Sequence, residues 1–203
     1  MSDLSSDLTR VDLEAYWMPF TGNRSFKDDP RIIIGADRCH YVSADGRRIF
    51  DSLSGLWCCG MGHNRTEIAD AISAQLSVVD YTPAFQFGHP KVFELANRLK
   101  GMTPNGLDYV FFSNSGSEAV ETALKMVRAY WNIKGEPDRT KFVGRGKGYH
   151  GVNFGGTSVG GLPLNRAPYG ELMDVEHLSH TLLPENSFTR GLPEQGAELA
   201  DEL

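Results

Sequence analysis

The segment with the most chemistry in its spacing is Phe111-Phe112-Ser113-Asn114-Ser115-Gly116-Ser117-Glu118-Ala119. An apolar run ends, a turn of small residues follows, and a helical pattern begins. Ser115-x-x-Glu118 has the form of a capping box, in which the serine hydroxyl closes one end of the first turn. The N–H groups that such a helix leaves free point outward, and the positive end of the helix dipole adds to them. Gly116 lets a ligand approach the backbone, and Ser115 and Ser117 bring hydroxyl donors. This arrangement suits a phosphate group. An ordinary capped helix with no ligand is the alternative.

A second segment, Gly144-Arg145-Gly146-Lys147-Gly148-Tyr149-His150-Gly151, follows the next expected strand, Thr140–Val143. In open α/β sheets ligands bind beyond the carboxyl ends of strands, so two glycine-rich turns at successive strand ends would face one crevice. Tyr149 and His150 place flat rings there, and such a ring can cover a heterocycle by offset stacking. A flexible loop whose tyrosine packs on the surface is the alternative. A third segment, Gly55-Leu56-Trp57-Cys58-Cys59-Gly60-Met61-Gly62-His63, sets a large aromatic among glycines, as a pocket wall requires. Adjacent cysteines do not fit the usual zinc spacings, so no metal site is expected from Cys58, Cys59 and His63. For His89, which precedes Pro90, a helix-capping role is the expectation.

The elements that must position these residues are partly readable. Arg31–Ile34, His40–Ser43 and Arg48–Asp51 read as a small antiparallel meander, with Asp45-Gly46 as a hairpin signal. A short helix is expected over Asp12–Trp17, ended by Pro19. Ile68, Ile72 and Leu76 share one face of a helix expected over Thr66–Val79. A second helix opens at Pro90 and ends near Gly101, with Val92, Phe93, Ala96 and Leu99 on its stripe. A third runs from Glu118 to about Asn132. Leu107–Phe112 and Thr140–Val143 read as buried strands, giving a βαβ unit in a parallel sheet. After Val159 four prolines interrupt the pattern and no strong strand is expected. Helical character returns at Glu194–Leu203. A sheet with so few strands leads to the expectation that the chain is the N-terminal part of a longer protein.

Composition excludes several classes. The apolar fraction of 40% and charged fraction of 23% are those of a globular protein. A formal net charge of -6 favours neither nucleic acid nor an anionic membrane as partner. No apolar run approaches the roughly 20 residues that span a bilayer. The start, Met1-Ser2-Asp3-Leu4, has no basic or apolar region of a signal peptide. Three cysteines form no disulfide framework, and a cytoplasmic location is expected.

Taken together, these segments resemble the class III pyridoxal-phosphate-dependent aminotransferases, nearest to their ω-amino acid:pyruvate (β-alanine–pyruvate) branch. The likeness runs through Trp17-Met18-Pro19-Phe20, Ala44-Asp45-Gly46 to Asp51, Leu56-Trp57 to His63, Phe85-Gln86-Phe87-Gly88-His89-Pro90, Asn114 to Ala119, and Gly148-Tyr149-His150-Gly151. The resemblance implies an α/β protein of fold type I, incomplete in this chain. That fold has a large domain around a mostly parallel sheet and a small α+β domain. Residues 1–62 would belong to the small domain and 63–203 to the first part of the large, cofactor-binding domain. It further implies that Gly116 and Ser117, with Ser115, hold the phosphate of pyridoxal 5'-phosphate. Tyr149 would stack on the pyridine ring with His150 beside it. Phe20, Trp57 and Val152 would line the substrate pocket, and Phe85 would reach into the partner subunit's site. The implied assembly is a homodimer or a dimer of dimers, acting on small amines and keto acids.

The family's Schiff-base lysine, the acid at the pyridine nitrogen and the arginine that grips a substrate carboxylate match no residue of this chain. Lys147 corresponds to none of them and reads as a solvated loop charge. The 203 residues alone are therefore expected to be inactive. Two other functions stay open: another pyridoxal-phosphate reaction on the same scaffold, decarboxylation or aminomutase chemistry, and a non-catalytic phosphate-binding domain.

Overall fold

The computed structural model describes residues 13–170 and 172–203. They form two units, divided between Val92 and Phe93.

The first unit is built on a meander, as expected, of β1 (Ile33–Asp37), β2 (His40–Ser43) and β3 (Arg48–Phe50), antiparallel in that order, with β1 starting two residues and ending three residues later than Arg31–Ile34. Its tight connection depends on Gly46, at φ 82°, whose N–H donates to Ser43 O at 2.8 Å. The Ser43 hydroxyl donates to the Asp45 carboxylate, which also accepts from Arg47 Nε at 2.6 Å. These bonds hold the Asp45 carboxyl below its ordinary range, the Ser43 bond first. A helix absent from the sequence reading, α1 (Asn23–Asp28), precedes the sheet. Asn23 bonds Met18 through both ends of its amide, accepting from its N–H at 2.7 Å and donating to its carbonyl at 2.9 Å. The expected helix over Asp12–Trp17 begins outside the described residues; Leu13 and Glu14 are helical and the element ends there.

α2 (Thr66–Leu76) stops three residues before the expected end. α3 (Pro90–Lys100) begins at the proline as expected. His89 caps it, its Nδ1 accepting from Lys91 N–H at 3.2 Å.

The second unit carries α4 (Gly116–Ile133), the longest helix described. After it come β4 (Phe142–Gly146), α5 (Phe154–Val159), β5 (Gly160–Gly161), α6 (Pro163–Arg166) and β6 (Val175–Leu178). The strands form a parallel sheet in the order β5-β4-β6.

Three expectations change here. Leu107–Phe112 has no regular secondary structure and pairs with no strand among the described residues, so it is no sheet member. An extended segment becomes a strand only when a neighbour takes its hydrogen bonds. The strand expected at Thr140–Val143 starts at Phe142 and runs on through Gly146, because Arg145 and Gly146 pair with Gly160 and Gly161. β6 lies where no strand was expected. Glu176 and His177 give it no apolar run, and its pairing with Val143 and Gly144 makes it a strand. The C-terminal Ala197–Glu202 turns as a 3-10 helix within the stretch that read as helical.

Buried residues concentrate in α5, where Gly155 to Val159 are all enclosed. Val159 is the one buried apolar side chain among the described residues. The stripe residues Ile68, Ile72 and Leu76 of α2 and Phe93 of α3 are exposed. No helix among the described residues is long and apolar enough to cross a membrane.

Candidate functional site

In the second unit the site is built on the first turn of α4. Ser115 has extended backbone angles, and its Oγ accepts the Glu118 N–H at 3.1 Å, as the capping-box spacing required. The return half of the box lands one residue earlier than expected. Glu118 Oε2 accepts from Asn114 N–H at 3.0 Å and from Asn114 Nδ2 at 3.1 Å. Gly116 and Ser117 occupy the first turn, whose N–H groups no helix carbonyl can reach. A Cβ built at Gly116 would meet nothing within 4 Å. The approach to these donors is open.

The loop after β4 comes to this turn. Val152 N–H donates to Ser117 Oγ at 3.1 Å. Gly151, at φ 107°, lies so close that a Cβ there would stand 2.8 Å from both Cα and Oγ of Ser117. Four residues on from Ser117, Glu121 Oε2 accepts from Gly155 N–H at 3.1 Å and Gly156 N–H at 3.3 Å. Positions i and i+4 share a helix face, so one side of α4 holds the whole Val152–Gly156 segment. Sequence reasoning missed Glu121. Its signal was this spacing from Ser117, on a helix whose stripe was judged by apolar residues alone.

The structure therefore brings Ser115, Gly116, Ser117 and Val152 together, with Tyr149 and His150 on the same loop. Tyr149 is more than half exposed, and no aromatic ring among the described residues covers it. His150 is half-buried. Its carbonyl lies against Gly156, where any Cβ would collide with it. Lys147 is exposed, at φ 64°, with its N–H bonded to Gly161 O at 2.8 Å.

The first unit holds the other three candidates, Phe20, Trp57 and Phe85, all more than 80% exposed. Trp57 belongs to an unusual turn. Ser54, Gly55, Leu56 and Trp57 have φ of 49°, 59°, 54° and 68°, a left-handed run of four. It closes through Trp57 N–H to Leu53 O at 2.9 Å and Cys59 N–H to Ser54 O at 2.8 Å. For L-residues this conformation costs about 1–2 kcal/mol each, and only Gly55 avoids the penalty. Phe20 is also left-handed, at φ 49°. Backbone strain of this kind persists only where surrounding contacts enforce it, and it clusters at functional sites.

The enforcing contacts converge on Asp51. Its Oδ1 accepts Leu53 N–H at 3.2 Å; its Oδ2 accepts Gly55 N–H at 2.8 Å and faces His63 Nε2 at 2.8 Å. The Tyr41 hydroxyl lies near it and also favours its charged form. Side-chain exposure is 6% for Asp51 and 12% for His63. The His63 hydrogen bond, with those of Tyr41, Gly55 and Leu53, holds the Asp51 carboxyl below its ordinary range against the opposing effect of burial. Burial and the bond to Asp51 raise the Tyr41 hydroxyl. His63 is thus engaged with a carboxylate, while Cys58 and Cys59 remain free thiols.

The comparisons with known proteins agree with one another. The family described as "Aminotransferase class-III" matches residues 23–189. The β-alanine–pyruvate aminotransferase of Pseudomonas aeruginosa is 53% identical over 196 residues, which are 96% of this chain and 44% of that one. The omega-amino acid–pyruvate aminotransferase of Pseudomonas putida is 53% identical over 197 residues, with the same two coverages. Among solved structures, an amine transaminase from an uncultivated Pseudomonas species, in its PLP-bound form, is 40% identical with a TM-score of 0.74. That match covers 81% of this chain and 38% of the other. The chain spans less than half the length of the curated relatives it matches.

Proposed function

The chain belongs to the class III aminotransferase family, and from that premise we propose that the whole protein is a pyridoxal-phosphate-dependent transaminase. On this reading it moves an amino group from an ω-amino acid or amine, such as β-alanine, to pyruvate. The observation that carries the reading is the junction of Ser117 with Val152, which gathers the anion-binding turn and the Tyr149 loop into one place.

The residues present fit the cofactor. Gly116 leaves the first turn of α4 open, and its N–H with that of Ser117 would hold the phosphate. Ser117 Oγ already accepts the Val152 N–H, so its own proton is available to a phosphate oxygen. Ser115 adds its position at the N-cap. The exposed Tyr149 ring would lie against one face of the pyridine ring, with His150 beside it. When bound, the cofactor supplies an electron sink for the substrate carbon. The chain's residues bind and orient it, and the family resemblance assigns Phe20, Trp57 and Val152 to contacts with the amine. Phe85 reaches the site of a second copy in a homodimer or dimer of dimers. The family's lysine, pyridine-nitrogen acid and carboxylate-gripping arginine correspond to no residue here, so no group of this chain moves the proton. Residues 1–62 belong to the small domain and 63–203 to the large one. The free state of Cys39, Cys58 and Cys59 suits a reducing cytoplasm, where this reading places the protein.

The test uses the full-length protein loaded with pyridoxal phosphate, with β-alanine and pyruvate as substrates. Alanine should form in proportion to β-alanine consumed. Cofactor binding without amino transfer, or with carbon dioxide release instead, would replace this reading with another reaction on the same scaffold.

A further inference from the structure

The left-handed turn at Trp57 needs a cause, and the Asp51 cluster supplies one. A carboxylate has about four acceptor positions, and Asp51 uses them on Leu53 N–H, Gly55 N–H and His63, with the Tyr41 hydroxyl also near enough to favour its charged form. Two of these donors are backbone groups at the entry and inside of the turn. The other two are side chains anchored in the meander and beyond the loop. His63 is fixed at its backbone as well, exchanging bonds with Arg38 at 2.7 and 3.3 Å. Tyr41 stands on β2 with its ring 4.6 Å from that of His63. The loop Ser52–Gly62 is thus tied at both ends to one carboxylate, and Trp57, its single aromatic, is exposed.

We infer that Asp51, held by His63 and Tyr41, is a positioning residue for Trp57: it locks the left-handed turn and so sets the face that the indole offers to the amine substrate. The inference rests on the reading of Trp57 as a pocket wall. Asp51 itself touches no substrate. It acts by removing alternatives, since a turn of disfavoured φ relaxes when its acceptor is lost, and the indole then samples other positions. The carboxyl's lowered pKa agrees with this, because the charged form is the better acceptor for these donors. Looser positioning of one wall alters discrimination between substrates of different size more than it alters the chemistry they share.

The experiment measures kcat/KM for β-alanine and for benzylamine, together with Tm, in the full-length holoenzyme. Four variants are compared: Trp57→Gly, Asp51→Ala, their double variant and Tyr41→Phe. Asp51→Ala should shift the benzylamine-to-β-alanine ratio in the same direction as Trp57→Gly, by roughly threefold or more. The double variant should shift it no further than Trp57→Gly alone. Tyr41→Phe keeps the ring beside His63 and removes one hydroxyl, so it should move the ratio the same way by less. It decides the matter if Asp51→Ala does not fold. A ratio that moves with Trp57→Gly but stays constant in Asp51→Ala or Tyr41→Phe, even with a lowered Tm, overturns the inference and leaves the pocket intact. A ratio that Trp57→Gly itself leaves unmoved removes the pocket reading, and the inference with it.

Discussion

The hydroxyl of Ser117 accepts the N–H of Val152 at 3.1 Å across 35 residues of chain. One residue thereby serves two segments: it stands in the first turn of α4, where an anion would sit, and it fixes the loop that carries Tyr149 and His150. Its remaining proton is free for a ligand, so the contact organises the site without consuming its donor capacity.

Replacing Ser117 by Ala together with Gly116 by Val should weaken cofactor retention in the full-length enzyme. A hydrogen bond to a charged group contributes about 1.5–3 kcal/mol, and a valine side chain would fill the open approach. Loss of bound-cofactor absorbance during dialysis is the measurement. Retention equal to that of the parent protein would show that the phosphate sits elsewhere.

Gly151→Ala should destabilise more than an exposed substitution does. The residue lies at φ 107° and a Cβ would press on Ser117 at 2.8 Å. A mismatch of this type costs more than about 1 kcal/mol. Thermal unfolding of the full-length protein checks it, and an unchanged Tm would contradict the close approach of loop and helix.

Trp57→Gly should improve turnover of bulky aryl amines relative to β-alanine. One missing methylene in a pocket already changes discrimination about tenfold or more, and an indole is far larger. The relative kcat/KM of the two donors decides between a pocket wall and simple surface packing.

The Asp51 carboxyl predicts a pH dependence of stability. Its folded-state pKa is depressed, chiefly by the His63 hydrogen bond. The stabilisation it brings is therefore fully present above the unfolded value of about 3.9 and is lost as pH falls through the lower folded value. Tm measured from neutral pH downward should show a gap between the parent protein and Asp51→Asn that stays constant above the carboxylate range and narrows below it. A gap independent of pH would mean that Asp51 contributes by shape and not by charge.

The 203 residues expressed alone should not transaminate and should unfold without a sharp transition. On the reading proposed above none of its lysines is the family's lysine base, and among the described residues Val159 alone is a buried apolar side chain. Large exposed apolar surfaces of this kind lead to association. Purified chain with added pyridoxal phosphate should give no alanine from pyruvate. Turnover from a monodisperse sample would redirect the search for a base to Lys147.

Local chemistry in the sequence was enough for the three longest helices, the meander and the cap, while the short α1, α5 and α6 gave no such signal. Apolar spacing determined α2, α3 and α4, Asp45-Gly46 determined the turn between β2 and β3, and Ser115 with Glu118 determined where α4 begins. The order of the glycine-rich motifs was also enough to reveal the family. Tertiary structure alone decided which segments meet. β6 is a strand because Val143 and Gly144 offer it hydrogen bonds, and Leu107–Phe112, more apolar by composition, has no strand partner among the described residues. Asp51 lies twelve residues from His63, and Ser117 lies thirty-five from Val152. Periodicity carries no signal over such separations, because a carboxylate or hydroxyl reads the same in sequence whether it faces water or closes a bond. The left-handed turn at Trp57 shows the limit most plainly: its backbone conformation opposes the preference of three of its four residues, and only the acceptor that the fold brings beneath it makes that conformation stable.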